Sequence, residues 1–167
     1  MTVTHSFTST KSDGGDTTVV RPSDWNADHV IANYSVRCTE ASQTIDSATW
    51  TEMLFSTEDW DDGDWHSTST NTGRFTPPTG ITKVSISVVS RISGSTAGQY
   101  YVRVLKDGSQ YGGSLSVAGT TAGGNGVQVH YTDEINATSS NYITFEAYQD
   151  SGGTRNWDYR VTLRGYN

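Results

Sequence analysis

Apolar and polar residues alternate with a period of two through most of the chain after residue 33. In KVSISVV (83–89), Val84, Ile86 and Val88 fall on one side, Ser85 and Ser87 on the other. In NYITFEAYQ (141–149), Ile143, Phe145 and Ala147 oppose Thr144, Glu146 and Tyr148. The last stretch is clearest: Trp157, Tyr159, Val161 and Leu163 against Asp158, Arg160, Thr162 and Arg164. This period is that of a strand with one buried face. In ATWTEMLFS (48–56), Trp50 and Leu54 share one side, Met53 and Phe55 the other. QYYVRVL, SLSVAG and GVQVHYTDE read as further strands, and NYSVRC as a linking strand. Turn signals separate them. Pro77-Pro78-Thr79-Gly80 is a turn, and Lys106-Asp107-Gly108-Ser109 a hairpin, since Gly accepts positive φ. Thr120 to Gly126 is a Gly-rich loop, and EDWDDGDWHSTSTNTGRF a long polar connection ending near Phe75. Eight or so short strands spaced by turns predict an all-β sandwich or barrel.

Residues 1–33 show almost no period. THSFTSTKSDGGDTT reads as an extended segment with a weak point at Gly14-Gly15. Ser23 or Asp24 is placed to cap one short helical turn just after Pro22, with Trp25 and Val30 on a similar side. A segment this short cannot bury itself, so it stays disordered or lies on another surface. The expected organisation is an extended arm, 1–33, and a sandwich domain, 34–167.

Composition adds bounds. Of the 167 residues, 33 % are hydrophobic, low for a chain with a large core; nine Tyr and five Trp compensate in bulk. The net charge is −7 and the eleven basic residues are scattered, which disfavours a nucleic-acid surface. No apolar run approaches the roughly 20 residues of a membrane span, so no membrane insertion is expected. The N-terminus lacks the basic-then-apolar layout of a secretion signal, which predicts a cytoplasmic protein or one released by lysis. Cys38 stands alone, so no intramolecular disulfide forms. A cysteine-ligated zinc site is not expected either, because structural zinc uses four ligands; Cys38 reads as a small, partly buried residue.

The acidic run EDWDDGDWH (58–66) invites a calcium reading through Asp59, Asp61, Asp62 and Asp64. The EF-hand spacing fails: counted from Asp59, the Gly falls one position early and the twelfth position is Thr70. The favoured reading is a solvated acidic loop whose Trp60 and Trp65 pack on the sandwich. His5, His29, His66 and His130 are far apart in sequence, with no HExxH or HxH spacing, and read as surface or packing residues. There is no GxSxG, and GTTAGGNG lacks the Lys-Ser/Thr of a P-loop. No carboxylate pair stands out. The expectation is no cofactor and no enzymatic activity.

Two resemblances refine this picture. ATWTEMLFSTEDWDDGDW, STNTGRFTPPTGITKVSISV, YVRVLKDG and RVTLRGY together resemble the C1q/TNF-like jelly roll, over about residues 45–167. That family usually forms trimers by packing one sheet face around a threefold axis, which implies a homotrimer. Tyr100, Tyr101, Tyr131 and Tyr148 are then candidates for the trimer interface or for exposed aromatics. THSFTSTKSDGGDTTVVRPSDWNADHV resembles an N-terminal module of tailed-phage virion proteins, carried by Val20 to Val30. It implies a virion-anchoring role for Arg21, Pro22, Ser23, Asp24, Trp25, Asn26, Asp28 and His29. Trp25 would be the apolar anchor. Jointly the resemblances imply a non-enzymatic phage structural protein, assembled in the host cytoplasm and placed on the outside of the virion. It would dock on other tail or capsid proteins and be available to a host surface glycan or protein. The competing readings are a capsid-decorating head-fibre or cement protein, and a monomeric carbohydrate-binding module.

Overall fold

The computed structural model describes residues 2–3, 29–30, 33–93, 97–119 and 127–167. Eleven strands are present among them: β1 (Thr2–Val3), β2 (His29–Val30), β3 (Asn33–Ile45), β4 (Thr51–Glu52), β5 (Thr57–Asp61), β6 (Lys83–Ile92), β7 (Gly98–Lys106), β8 (Ser109–Gly119), β9 (Val127–Asn136), β10 (Ile143–Gln149) and β11 (Arg155–Tyr166). β1 and β2 form an antiparallel pair of their own. The other nine build a jelly-roll sandwich. One sheet has the order β4-β10-β7-β8, the other β5-β3-β11-β6-β9, and all their strand pairings are antiparallel. No helix of the described residues is long and apolar enough to cross a membrane.

The alternating patterns read from the sequence become the two inner faces. Val84, Ile86 and Val88 of β6 and Trp157, Tyr159, Val161 and Leu163 of β11 are buried. They face Tyr100, Val102 and Val104 of β7 and Ile143, Phe145 and Ala147 of β10. The Asp107-Gly108 turn joins β7 to β8 with both residues at positive φ (52° and 77°), the geometry that matches strand twist in a two-residue hairpin. Gln149, a buried polar side chain, is fully used: its amide donates to the carbonyls of Ile45 and Gly153, and its oxygen accepts from the Ser151 amide.

The segment between β3 and β6 departs from the expected polar connection. NYSVRC opens a 13-residue strand inside the five-stranded sheet rather than a link, and Thr57–Asp61 is the edge strand beside it. The segment also crosses the sandwich. Thr51 and Glu52 pair with β10, Met53 and Phe55 plunge into the core, and β5 then joins the opposite sheet on β3. It returns at Phe75, which exchanges backbone hydrogen bonds with Ile143 at 2.9 and 2.8 Å. Phe55 meets Phe75, Phe145 and Tyr159 edge-on, with centroids 5.1–6.2 Å apart, a favourable arrangement of aromatic quadrupoles. The Tyr159 hydroxyl secures the crossing, donating to the Leu54 carbonyl at 2.7 Å and accepting from the Leu54 amide at 2.9 Å. Burial holds this phenol protonated well above its ordinary range.

Tyr159→Phe keeps the ring and removes the hydroxyl, orphaning the Leu54 carbonyl, since the Leu54 amide keeps a second acceptor in Gln43. The expected loss is about 1–3 kcal/mol of unfolding free energy, read as a lower urea midpoint at unchanged slope. A change within about 0.5 kcal/mol, the scale of ordinary surface substitutions, would show that the hydroxyl does not secure the crossing.

Candidate functional site

Two surfaces concentrate chemistry. The first is the outer face of the four-stranded sheet. Tyr101 and Tyr148 lie directly opposite each other on β7 and β10, so their side chains leave the sheet together. Their rings meet edge-to-face at 5.6 Å, and Trp50, brought in just before β4, lies 5.2 Å from Tyr148 and 6.2 Å from Tyr101. Arg103 places its guanidinium 4.0 Å from the Trp50 ring and makes an ion pair with Glu146, its cross-strand neighbour. All five side chains are half-buried. The result is a platform of three aromatic rings with a fixed cation beside it. Tyr, Trp and Arg are the residues most enriched at protein interfaces.

Two predicted members are not on this surface. Tyr100 is completely buried and Tyr131 is only 5 % exposed, so both belong to the core of the sandwich and neither is a surface aromatic. Sequence parity held the signal. Tyr100 keeps step with Val102 and Val104, and Tyr131 with Val129 and Ile135, all inward residues. Trp50 carried the opposite signal, in antiphase with the inward Met53 and Phe55.

The second surface is the β5 edge. The acidic residues there do not gather around one point. Asp59 turns outward to Arg37 at 3.0 Å. Asp62 accepts from the Ser35 hydroxyl. Asp64 occupies a turn at positive φ beside Gly63 and is exposed. Asp61 turns inward, accepting the backbone amides of Trp65 and His66, both at 3.0 Å. That grip folds the chain back so that Trp65 enters the core against Gly165. A Cβ on Gly165 would meet the Trp65 ring at 2.8 Å, so the close approach needs glycine. Trp60 corrects the expected packing of both tryptophans: it lies on the outer side, 38 % exposed, beneath the Arg37 guanidinium at 5.0 Å.

His66 follows into the interior. Its side chain is wholly buried, stacked on Phe75 at 4.7 Å and edge-on to Phe55. Nε2 lies 2.8 Å from the Thr72 carbonyl and Nδ1 2.8 Å from Glu58 Oε1. Cys38 is fully buried beside them. Burial first, then the charges of Glu58, Asp61 and Asp59, push its thiol up to about 12. Of the arm residues, Arg21, Pro22, Ser23, Asp24, Trp25, Asn26 and Asp28 lie outside the described residues, as does the predicted helical turn; His29 pairs with Val3 in the β1–β2 ladder.

No protein-family model matches this chain, and no curated protein matches it in sequence. Solved structures do match its fold. PRD1 vertex protein P5 is similar at a TM-score of 0.59 and 13 % identity, over 80 % of this chain and 97 % of that one. The globular domain of zebrafish complement 1qA protein is similar at a TM-score of 0.49 and 16 % identity, over 78 % and 94 %. At these identities the likeness is one of fold.

The Asp61 environment has a consequence in pH. Burial, with Glu58 and Asp64 nearby, raises its carboxyl above the ordinary range despite the two amides it accepts. A raised folded value adds stability that is complete below the unfolded value of about 3.9 and is lost as pH rises through the folded value. Relative to Asp61→Asn, the wild type is therefore expected to lose ground as pH rises from acid toward neutrality. Paired urea titrations across that range check this, and a difference that stays flat or reverses would contradict it.

Proposed function

We propose that this chain is a structural component of a tailed-phage virion, a homotrimeric knob or short fibre held to the particle by its arm and facing outward. The observation that carries the reading is the Trp50–Tyr101–Tyr148 platform on the jelly roll, a half-buried aromatic surface with Arg103 fixed at its margin. Such a patch on one face of a small domain marks a surface that meets another molecule. A closed ring of three copies covers it without leaving an open, polymerising face. Two further observations support a virion protein. The fold is shared with a viral vertex protein, and Val20 to Val30 resembles a virion-anchoring module.

In this reading the arm docks on a neighbouring tail or capsid protein. Trp25 supplies apolar area and Arg21, Asp24 and Asp28 supply polar contacts, with Pro22, Ser23, Asn26 and His29 completing the anchoring set. The loops at the far end of the sandwich are then free to touch a host surface glycan or protein. The chain carries out no reaction in this role. The resemblance of the arm favours the tail over capsid decoration.

Light scattering of the full chain tests the reading. The expected mass is that of three chains, falling to one in the double variant Trp50→Ser, Tyr148→Ser. A monomer across the accessible concentration range would overturn the trimer. If that monomer binds oligosaccharide and loses binding in the same double variant, the platform is a sugar-stacking site and the carbohydrate-binding reading replaces this one. A trimer unchanged by the double variant would move the seam to another face.

A further inference from the structure

At the β5 edge a thiol, a carboxylate and an imidazole converge: ligand atoms of Cys38, Glu58 and His66 all lie within 4.8 Å of one another. We propose that these three side chains bind a borderline-soft divalent cation of the zinc class, with the fourth position open to water on the Glu58 side.

The backbone builds the triad. Cys38 pairs with Glu58 and Val36 with Asp61, and the register shifts between Arg37 and Cys38. Val36 and Cys38 both point inward, so their partners do too. Glu58 and Asp61 are three apart and would take opposite faces in a regular strand. The bulge brings both carboxylates to the inner side, as bulges do where they re-aim a side chain. Asp61 then holds the His66 amide, and the ring comes to Glu58 from above the strand edge.

The histidine is set up as a ligand. A carbonyl can only accept, so the contact of Nε2 with Thr72 O fixes the proton on Nε2. Metal-bound histidines are typically oriented in this way, by a backbone carbonyl or a carboxylate on the other nitrogen. The ring cannot swing away, because Phe75 and Phe55 hold two of its sides. Nδ1 faces Glu58 Oε1 at 2.8 Å, a contact that needs one cation between two lone pairs. A proton serves, and so does a metal ion.

The donor set selects the class of cation. Thiolate, imidazole and carboxylate suit zinc, cobalt or cadmium; calcium and magnesium require oxygen ligands. Bonds of about 2.0–2.3 Å place tetrahedral ligand atoms about 3.5 Å apart, so a bound ion opens the 2.8 Å His66–Glu58 contact by about half an ångström and draws in atoms as far apart as 4.8 Å by about one. Glu58, with its side chain 30 % exposed, has the freedom to make it. On binding, the Cys38 thiol proton and the proton shared by His66 and Glu58 leave to solvent, two protons for one divalent ion. Asp59 and Asp61 add negative charge around the thiol. Sequence spacing hides this site, since its ligands come from β3, β5 and the following loop and form no short motif.

Cadmium titration of the reduced, chelator-treated full chain tests the proposal. Cys38 is the chain's one cysteine, so a thiolate-to-cadmium charge-transfer band reports this position alone. The expected result is one cadmium per chain, displaced by zinc, with no band in Cys38→Ala. Glu58→Gln, a substitution at the exposed member, is expected to weaken binding on the order of tenfold or more. No band with cadmium in large excess would overturn the site and leave Glu58–His66 as a proton-bridged pair that ties the loop to β5. Unchanged affinity in Glu58→Gln would equally overturn it, because the cation would then be held by the thiol without the triad.

Discussion

The passage of residues 51–75 from one sheet to the other and back is the constraint on which the remaining structure depends. A two-sheet sandwich needs its open end closed, and here a segment with little regular structure closes it. The segment succeeds because its few apolar residues fall at the crossing points. Met53 and Phe55 enter on the way over, Trp65 midway, and Phe75 on the way back, all buried. The backbone polar groups that travel with them are matched: Met53 N–H donates to Phe145, Phe55 N–H to Thr72, and both polar groups of Leu54 meet the Tyr159 hydroxyl. Without those partners the crossing would bury unpaired amides and carbonyls, each costing about 1–3 kcal/mol.

The same crossing produces both surfaces of interest. On entering, it leaves Trp50 on the outer face of the four-stranded sheet, where Tyr101 and Tyr148 already stand side by side. After the crossing it runs as β5 along β3, and the bulge there sets Glu58 opposite Cys38 before the chain turns His66 inward. The outer face of the other sheet contrasts with the aromatic one: Ser85, Ser87, Thr162 and Arg164 line a shallow polar depression. Among the described residues the three-ring cluster stands on the outer face of the four-stranded sheet, whereas the other outer face carries a single exposed tryptophan, Trp60, at its β5 edge.

Much of the fold was legible in the sequence, because one-sided burial writes itself as a period of two. The inward sets on β6, β10 and β11 and the Asp107-Gly108 turn follow directly from residue order. β5 was not legible. Edge position and a strand whose one apolar residue, Trp60, faces outward leave no alternation to read, since Glu58 and Asp61 face inward at the rim where water still reaches them. The tyrosines were misread for a different reason. The implied trimer assigned Tyr100 and Tyr131 by residue type, whereas their phase with neighbouring valines places them in the core. The Cys38–Glu58–His66 grouping arises only from a bulge and a folded-back loop, two features that leave no trace in local spacing.

The central claim is that the crossing is an integral part of the sandwich and not a loop laid over it. Native-state hydrogen exchange at the Leu54 and Phe55 amides tests it most directly. The account predicts protection equal to that of the β11 amides, with exchange only through global unfolding. Exchange through a local opening far below the global free energy would contradict it, and would mean that the sandwich stands without its crossing segment.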